Sequence, residues 1–219
     1  MVRNFNVQAV HKYMYPATYN FRDDEDGAEP TGWTSDNGAG CTTTIIASLD
    51  GHRKVLDCLD GNPATTFLIE KTLTAATVIY FEFWVRFTAL TTTYFSVFDA
   101  VPVQNYWRLD TIAGMVINTW HHIKFLIDTT ADTYNLWRDN SVIAAGAALP
   151  IAVMGDVVKI RFNSTAAATG FHFYVDAVGL FNDTSYKVGD NCFWRHYGES
   201  TDSFEGDDVG TQGTSKTNQ

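Results

Sequence analysis

The chain has 219 residues and a mass of 24.4 kDa, with 15 Lys and Arg against 25 Asp and Glu, a formal charge of −10. That length makes one large or two small domains and is ample to bury a core, and 45% hydrophobic with 14% aromatic residues excludes a chain disordered throughout. A pI near 4.8 argues against nucleic acid as the main partner, because phosphate binding needs a basic footprint, and no apolar run reaches the roughly 18 residues of a membrane span.

The first ten residues, Met1 to Val10, lack the apolar core of a secretory signal. The expectation is that a signal was removed or that export proceeds without one, as for a virion protein assembled inside a host. Residues 1–16 read as an extended N-terminal arm in which Asn4–Val10 is strand-like, able to add to the edge of another sheet.

The middle of the chain is a series of short β-branched and aromatic runs punctuated by turn residues. In order they are Thr42–Ser48, Lys54–Leu59, Thr65–Glu70, Val78–Phe87, Tyr94–Phe98, Trp120–Ile127, Val157–Phe162 and Phe171–Val178. Hairpin signals stand at Asp50-Gly51, Asp60-Gly61 and Arg138-Asp139-Asn140. Ala144–Ala148 is a poor helix candidate, since Gly146 interrupts it and Pro150 follows. Strands at this spacing, without helix-length amphipathic stretches, indicate an all-β antiparallel sandwich or barrel.

Period-2 alternation divides each strand into faces. Phe81, Phe83, Val85 and Phe87 form one face of Val78–Phe87, and Tyr80, Glu82, Trp84 and Arg86 the other. Likewise His121, Ile123, Phe125 and Ile127 oppose Trp120, His122 and Lys124, and Val158, Ile160 and Phe162 alternate with Lys159 and Arg161. The pattern predicts Phe81, Phe83, Ile123, Phe125, Ile160 and Phe162 in the core. The opposite phase mixes aromatics with charges. Tyr80, Trp84, Arg86, Trp120, His122, Lys124 and Tyr174 are therefore the candidate ligand-binding face, for a sugar-stacking platform or a protein partner.

The C-terminus changes character. After Cys192-Phe-Trp-Arg-His-Tyr comes a Gly-, Ser-, Thr- and Asp-rich tail to Gln219, the composition of disorder. Phe21, Asp24 and Gly27 recur at the same spacing as Phe204, Asp207 and Gly210, so residues 192–219 are either an extension or the start of a further repeat. Cys41, Cys58 and Cys192 lack C-x-x-C spacing and leave one unpaired in any scheme; small buried thiols are expected ahead of a Cys41–Cys58 bridge.

The order of motifs brings in a family. Tyr19 to Trp33 (YNFRDDEDGAEPTGW) opens the domain, followed by Ser48–Leu56 and Tyr80–Arg86, then Thr119–Phe125, Asp132–Asn140 and Tyr174–Leu180 (YVDAVGL). This succession resembles the laminin-G-like, concanavalin-A-like jelly rolls of microbial and viral surface proteins, over about residues 17–191. The resemblance implies a two-sheet jelly-roll sandwich with terminal arms, mostly non-catalytic, binding glycans, proteins or neighbouring subunits. It also implies a structural calcium, with Asp23, Asp24 and Asp176 at the matching positions. Calcium takes six to eight hard oxygens, which three carboxylates plus carbonyls can supply. Arg22 stands where the pattern has Glu, so an ion pair with Asp176 or a solvated acidic turn is the alternative.

Catalytic signatures are sparse. His121-His122 point to opposite faces of a strand and cannot converge on one zinc ion without a bulge, which leaves one core and one surface histidine. Glu82 is the lone acid of its strand, against the carboxylate pair that glycoside hydrolysis uses. Tyr80, Arg86, His122, His172 and Tyr174 would serve a β-elimination if clustered, but no lyase run accompanies them. The leading expectation is a non-enzymatic, surface-displayed structural or attachment protein, extracellular or on a virion, working by self-assembly, a structural partner or polysaccharide, without nucleic acid or membrane insertion. A glycan-binding module of a larger secreted protein is the alternative, and a polysaccharide lyase or hydrolase the second.

Overall fold

The computed structural model describes residues 15–151, 153–165 and 170–192. The strand-like run Asn4–Val10, the polar tail and the repeat-like Phe204–Gly210 lie outside the described residues. Within them the chain is all-β, two antiparallel sheets packed as a sandwich. The strands are β1 (Thr34–Ser35), β2 (Cys41–Leu49), β3 (His52–Asp60), β4 (Leu68–Ala76), β5 (Val78–Phe87) and β6 (Thr93–Phe98). They continue as β7 (Gln104–Arg108), β8 (His121–Asp128), β9 (Thr133–Arg138), β10 (Ser141–Ala148), β11 (Val157–Ser164) and β12 (Phe171–Leu180). One sheet has the order β1-β4-β11-β6-β7 and the other β10-β9-β8-β5-β12-β3-β2. Among the described residues no helix is long and apolar enough to cross a membrane.

Turn chemistry sets two of the hairpins. Asp50 and Gly51 both take positive φ (45° and 90°) between β2 and β3, as do Asp139 and Asn140 (48° and 63°) between β9 and β10. That is the turn whose twist matches paired strands. Asp60-Gly61 is not a hairpin. The chain leaves β3 there and crosses to the other sheet, and Gly61 lies against the Gly40 carbonyl where a Cβ would collide. The Ala-rich stretch expected only to avoid helix is strand β10, at a sheet edge with register shifts that bulge it.

The core is where alternation predicts it. Phe81, Phe83, Ile123, Phe125, Ile160 and Phe162 have no exposed surface. Phe83 is central: its ring is 5.1 Å from Phe95 and 5.2 Å, edge-on, from Phe162 of the facing sheet. The three cysteines are free, and Cys41 and Cys58 are offset in register, each opposite another residue. Burial pushes the Cys58 thiol well above its usual pKa.

β12, the last strand, inserts between β3 and β5, and the described segments at Tyr15–Tyr19 and after β12 both pack on the seven-stranded sheet. Tyr19 bridges Val178, and residues 181–192 fold back over that sheet's outer surface. A bulge between Asp176 and Gly179, with Ala177 at φ 51°, re-aims the strand where this happens.

Candidate functional site

The aromatic and charged phase of β5, β8 and β12 does share the outer face of the seven-stranded sheet. Asp176, Trp84 and His122 are cross-strand partners, as are Tyr174 and Arg86. The face is not open. Trp84 Nε1 donates to the Asn191 carbonyl at 2.7 Å, and His122 Nε2 lies 2.8 Å from Asn191 Oδ1. Tyr15 stacks on His52 at 4.5 Å, and Trp120 covers the other side of that ring at 4.0 Å. His122 is 4% exposed, Tyr174 8% and Arg86 9%, Arg86 being paired with Asp50 at 2.9 Å. Tyr80 sits at the far end against Phe181, and Lys124 lies over Trp137. The expected surface histidine is thus an interior one. His121 is buried too, its Nε2 accepting from Val116 N–H, which leaves its Nδ1 proton for Asp139 at 2.7 Å.

The calcium set does not assemble. Asp176 is 1% exposed and receives His52 Nδ1 at 2.7 Å, whereas Asp24 accepts Thr31 N–H within the opening turn and Asp23 is an exposed partner of Arg22. Among the described residues, the group of three metal-capable side chains whose ligand atoms lie within 4.8 Å of one another is Glu82, His122 and Cys192. Asp176 points instead to the outer face, where it is hydrogen-bonded to His52.

The Glu82–His122 pair is the anchor of the cover. Tyr186 hydroxyl and Gly189 N–H both donate to Glu82 Oε1, and Glu82 Oε2 is 3.4 Å from His122 Nε2. Burial opposes charge on His122, but hydrogen bonds to Cys192 and Glu82 outweigh it and raise the imidazole to about 9. Burial likewise opposes charge on Glu82, and contacts from His122, Tyr186 and Gly189 hold it below the usual carboxylate range. The result is an imidazolium–carboxylate pair inside the fold. Gly179 makes room for it: the Tyr186 ring lies where a Cβ would be.

The open face is on the other sheet. Strand alternation turns Glu70 and Thr72 of β4, Lys159, Arg161 and Asn163 of β11, Tyr94, Ser96 and Phe98 of β6, and Gln104, Tyr106 and Arg108 of β7 away from the core. Ser96 is the small residue among larger neighbours. Beside it a pocket of about 250 Å³ is lined by Tyr94, Gln104, Tyr106 and Asn163. The two tyrosine rings meet edge to face at 5.0 Å, and Tyr106 is 38% exposed. Gln104 Nε2 donates to Ser96 Oγ and Asn163 Nδ2 to the Ser164 carbonyl, so both amides are held in orientation. Neither tyrosine hydroxyl nor either amide oxygen has a hydrogen-bond partner among the described residues.

Along the pocket, Glu70 Oε1 takes Lys159 at 3.0 Å and Oε2 takes Arg161 at 2.8 Å. Partial burial raises the Glu70 carboxyl, and the two cations lower it further than burial raises it. Arg161 lies 4.4 Å from the Phe98 ring and Lys159 5.6 Å. The sequence places Lys159 and Arg161 on a polar phase and Tyr94–Phe98 in a strand, but does not single out Tyr94, Gln104, Tyr106 or Asn163 as a site. The signal is present in Tyr94, Ser96 and Phe98 alternating with the core residues Phe95 and Val97, although of the three only Tyr94 is not buried, and β7 is too short to stand out as a strand.

No family model matches the sequence, and no curated protein matches it. Among solved structures, a sialidase matches with a TM-score of 0.62 and 11% identity, over 78% of this chain and 19% of its own. The cellulose-induced protein Cip1 matches at 0.55 and 13% identity, over 78% of this chain and 97% of its own. The chain thus spans about a fifth of the sialidase and nearly all of Cip1. Together with the two-sheet topology, these likenesses establish the fold as a jelly-roll β-sandwich.

Proposed function

We propose that the chain is a non-catalytic glycan-binding module whose site is the pocket on the outer face of the five-stranded sheet. The observation that supports it is the pairing of two solvent-facing tyrosines with two oriented amides whose oxygens are unpaired. Tyrosine rings cover the apolar C–H face of a pyranose while their hydroxyls and neighbouring amides bond its hydroxyl groups. A pocket of this volume is smaller than the roughly 300–1,000 Å³ of a drug-sized site and suits a single ring of a longer chain. An extracellular setting goes with that ligand class.

The acid–base groups favour binding over turnover. Glycoside hydrolysis uses a carboxylic acid with a raised pKa, whereas Glu70, beside the pocket, is tied to two cations and lowered. For β-elimination, Arg86, His172 and Tyr174 do lie together on the other sheet, but burial raises Tyr174 and makes it harder to ionise. Self-assembly through the arms, the other expectation, rests on segments outside the described residues.

Affinity electrophoresis of the full chain against a panel of soluble polysaccharides tests the reading. At least one glycan should retard the protein, and Tyr106→Ala should abolish the retardation while leaving the melting temperature within a degree or so. A panel without a ligand, or a Tyr106→Ala variant retarded like the parent, overturns it.

A further inference from the structure

We propose that the pocket selects acidic glycans, with Arg161 and Lys159 taking a carboxylate or sulfate on the bound chain. The proposal rests on the glycan-binding reading and adds the substrate class.

The register carries the argument. Arg161 lies opposite Ser96, beside the pocket, and Lys159 lies opposite Phe98, so both cations stand on the same strand as Asn163 and two strands from Tyr106 and Gln104, with β6 between. A ring seated against the exposed Tyr106 therefore has its next substituent or next residue running across β6 toward β11.

The charges do not balance there. Lys159 and Arg161 share a single carboxylate, Glu70, and Arg108 is matched one-for-one by Asp110 at 2.7 Å. Among the described residues, the strand positions facing out here and their ion-pair partners hold three cations against two carboxylates, in a chain whose formal charge is −10. The local excess is one positive charge, and in an acidic chain it is not a by-product of overall basicity.

The donors are also preorganised. Arg161 gives Nε and Nη2 to Glu70, and its Nη1 has no hydrogen-bond partner among the described residues. Lys159 gives one of its three protons to Glu70. Contact with the Phe98 ring fixes both stems, so an arriving anion meets donors that lose little freedom on binding.

Isothermal titration on the full chain decides it, using oligogalacturonide as the carboxylate probe, a sulfated oligosaccharide as the sulfate probe and a neutral oligogalactan as comparator. One of the two anionic probes should bind about tenfold or more tightly than the neutral one, and whichever does identifies the anion. That advantage should shrink as salt is raised. Lys159→Gln and Arg161→Gln should each lose most of the advantage while keeping affinity for the neutral probe. Circular dichroism checks each fold, and Lys159→Gln leaves the Arg161–Glu70 pair to hold the strands. Equal binding of acidic and neutral probes, or an acidic preference that survives both substitutions, overturns the inference while leaving the glycan reading intact. If Tyr106→Ala also binds like the parent, the glycan reading itself has failed.

Discussion

Substituting His122 by Gln removes the charge from the interior anchor of residues 181–192 and should change how stability depends on pH. The imidazole is raised from 6.5 to about 9 by Cys192 and Glu82 despite its burial. At about 1.4 kcal/mol for each pH unit separating the folded from the unfolded value, the folded state gains on the order of 3 kcal/mol from binding this proton. Because the folded pKa lies above the unfolded one, that contribution is complete below pH 6.5 and is lost as pH rises through about 9. Glu82 is held low and remains ionised across the window, and Tyr186, pushed up by burial and then by Glu82, remains protonated. Of these three groups, His122 is the one that titrates in the window. Urea denaturation of the parent and His122→Gln at about pH 6, 7.5 and 9.5, at fixed ionic strength, measures the effect. The parent should lose about 3 kcal/mol more than the variant across the series. Parallel pH profiles would mean that His122 is neutral in the folded protein and that the anchor is a network of uncharged hydrogen bonds.

Phe83→Ala removes the ring at the centre of the inter-sheet cluster and should cost about 3–5 kcal/mol in denaturant melts; below about 1 kcal/mol, the packing around it is not as described. Gly179→Ala puts a Cβ into the Tyr186 ring, so Tyr186 should leave Glu82, and amide exchange at Gly189 should accelerate by an order of magnitude or more while the Phe83 amide is unaffected. Unchanged exchange at Gly189 would show that residues 181–192 are held without Tyr186.

Much of the architecture is legible in the chain because period-2 alternation is local. Phe81, Phe83 and Val85 announce one buried face from five consecutive residues, and β5 has the limits, Val78–Phe87, that its composition predicts. The Asp50-Gly51 and Asp139-Asn140 turns are equally local, since left-handed backbone conformations select those residues. Asp60-Gly61 carries the same letters, yet its Gly answers to a carbonyl twenty-one positions upstream. No local rule sees that.

What the sequence could not decide was which of two polar, aromatic faces stays open. Tyr80, Trp84, Arg86, His122 and Tyr174 and, on the other sheet, Tyr94, Arg161 and Tyr106 have the same character strand by strand. The difference arises because β12 enters between β3 and β5, and the segments around Tyr15 and after β12 lie on the first of these faces, where Tyr15, Tyr186 and Asn191 cover it. Asp176, which the family resemblance implied as a calcium ligand, meets His52, 124 positions away in the chain, for the same reason. Alternation determined which side chains leave the core; the return path of the chain, set by contacts more than a hundred residues apart, determined which of them still meet solvent.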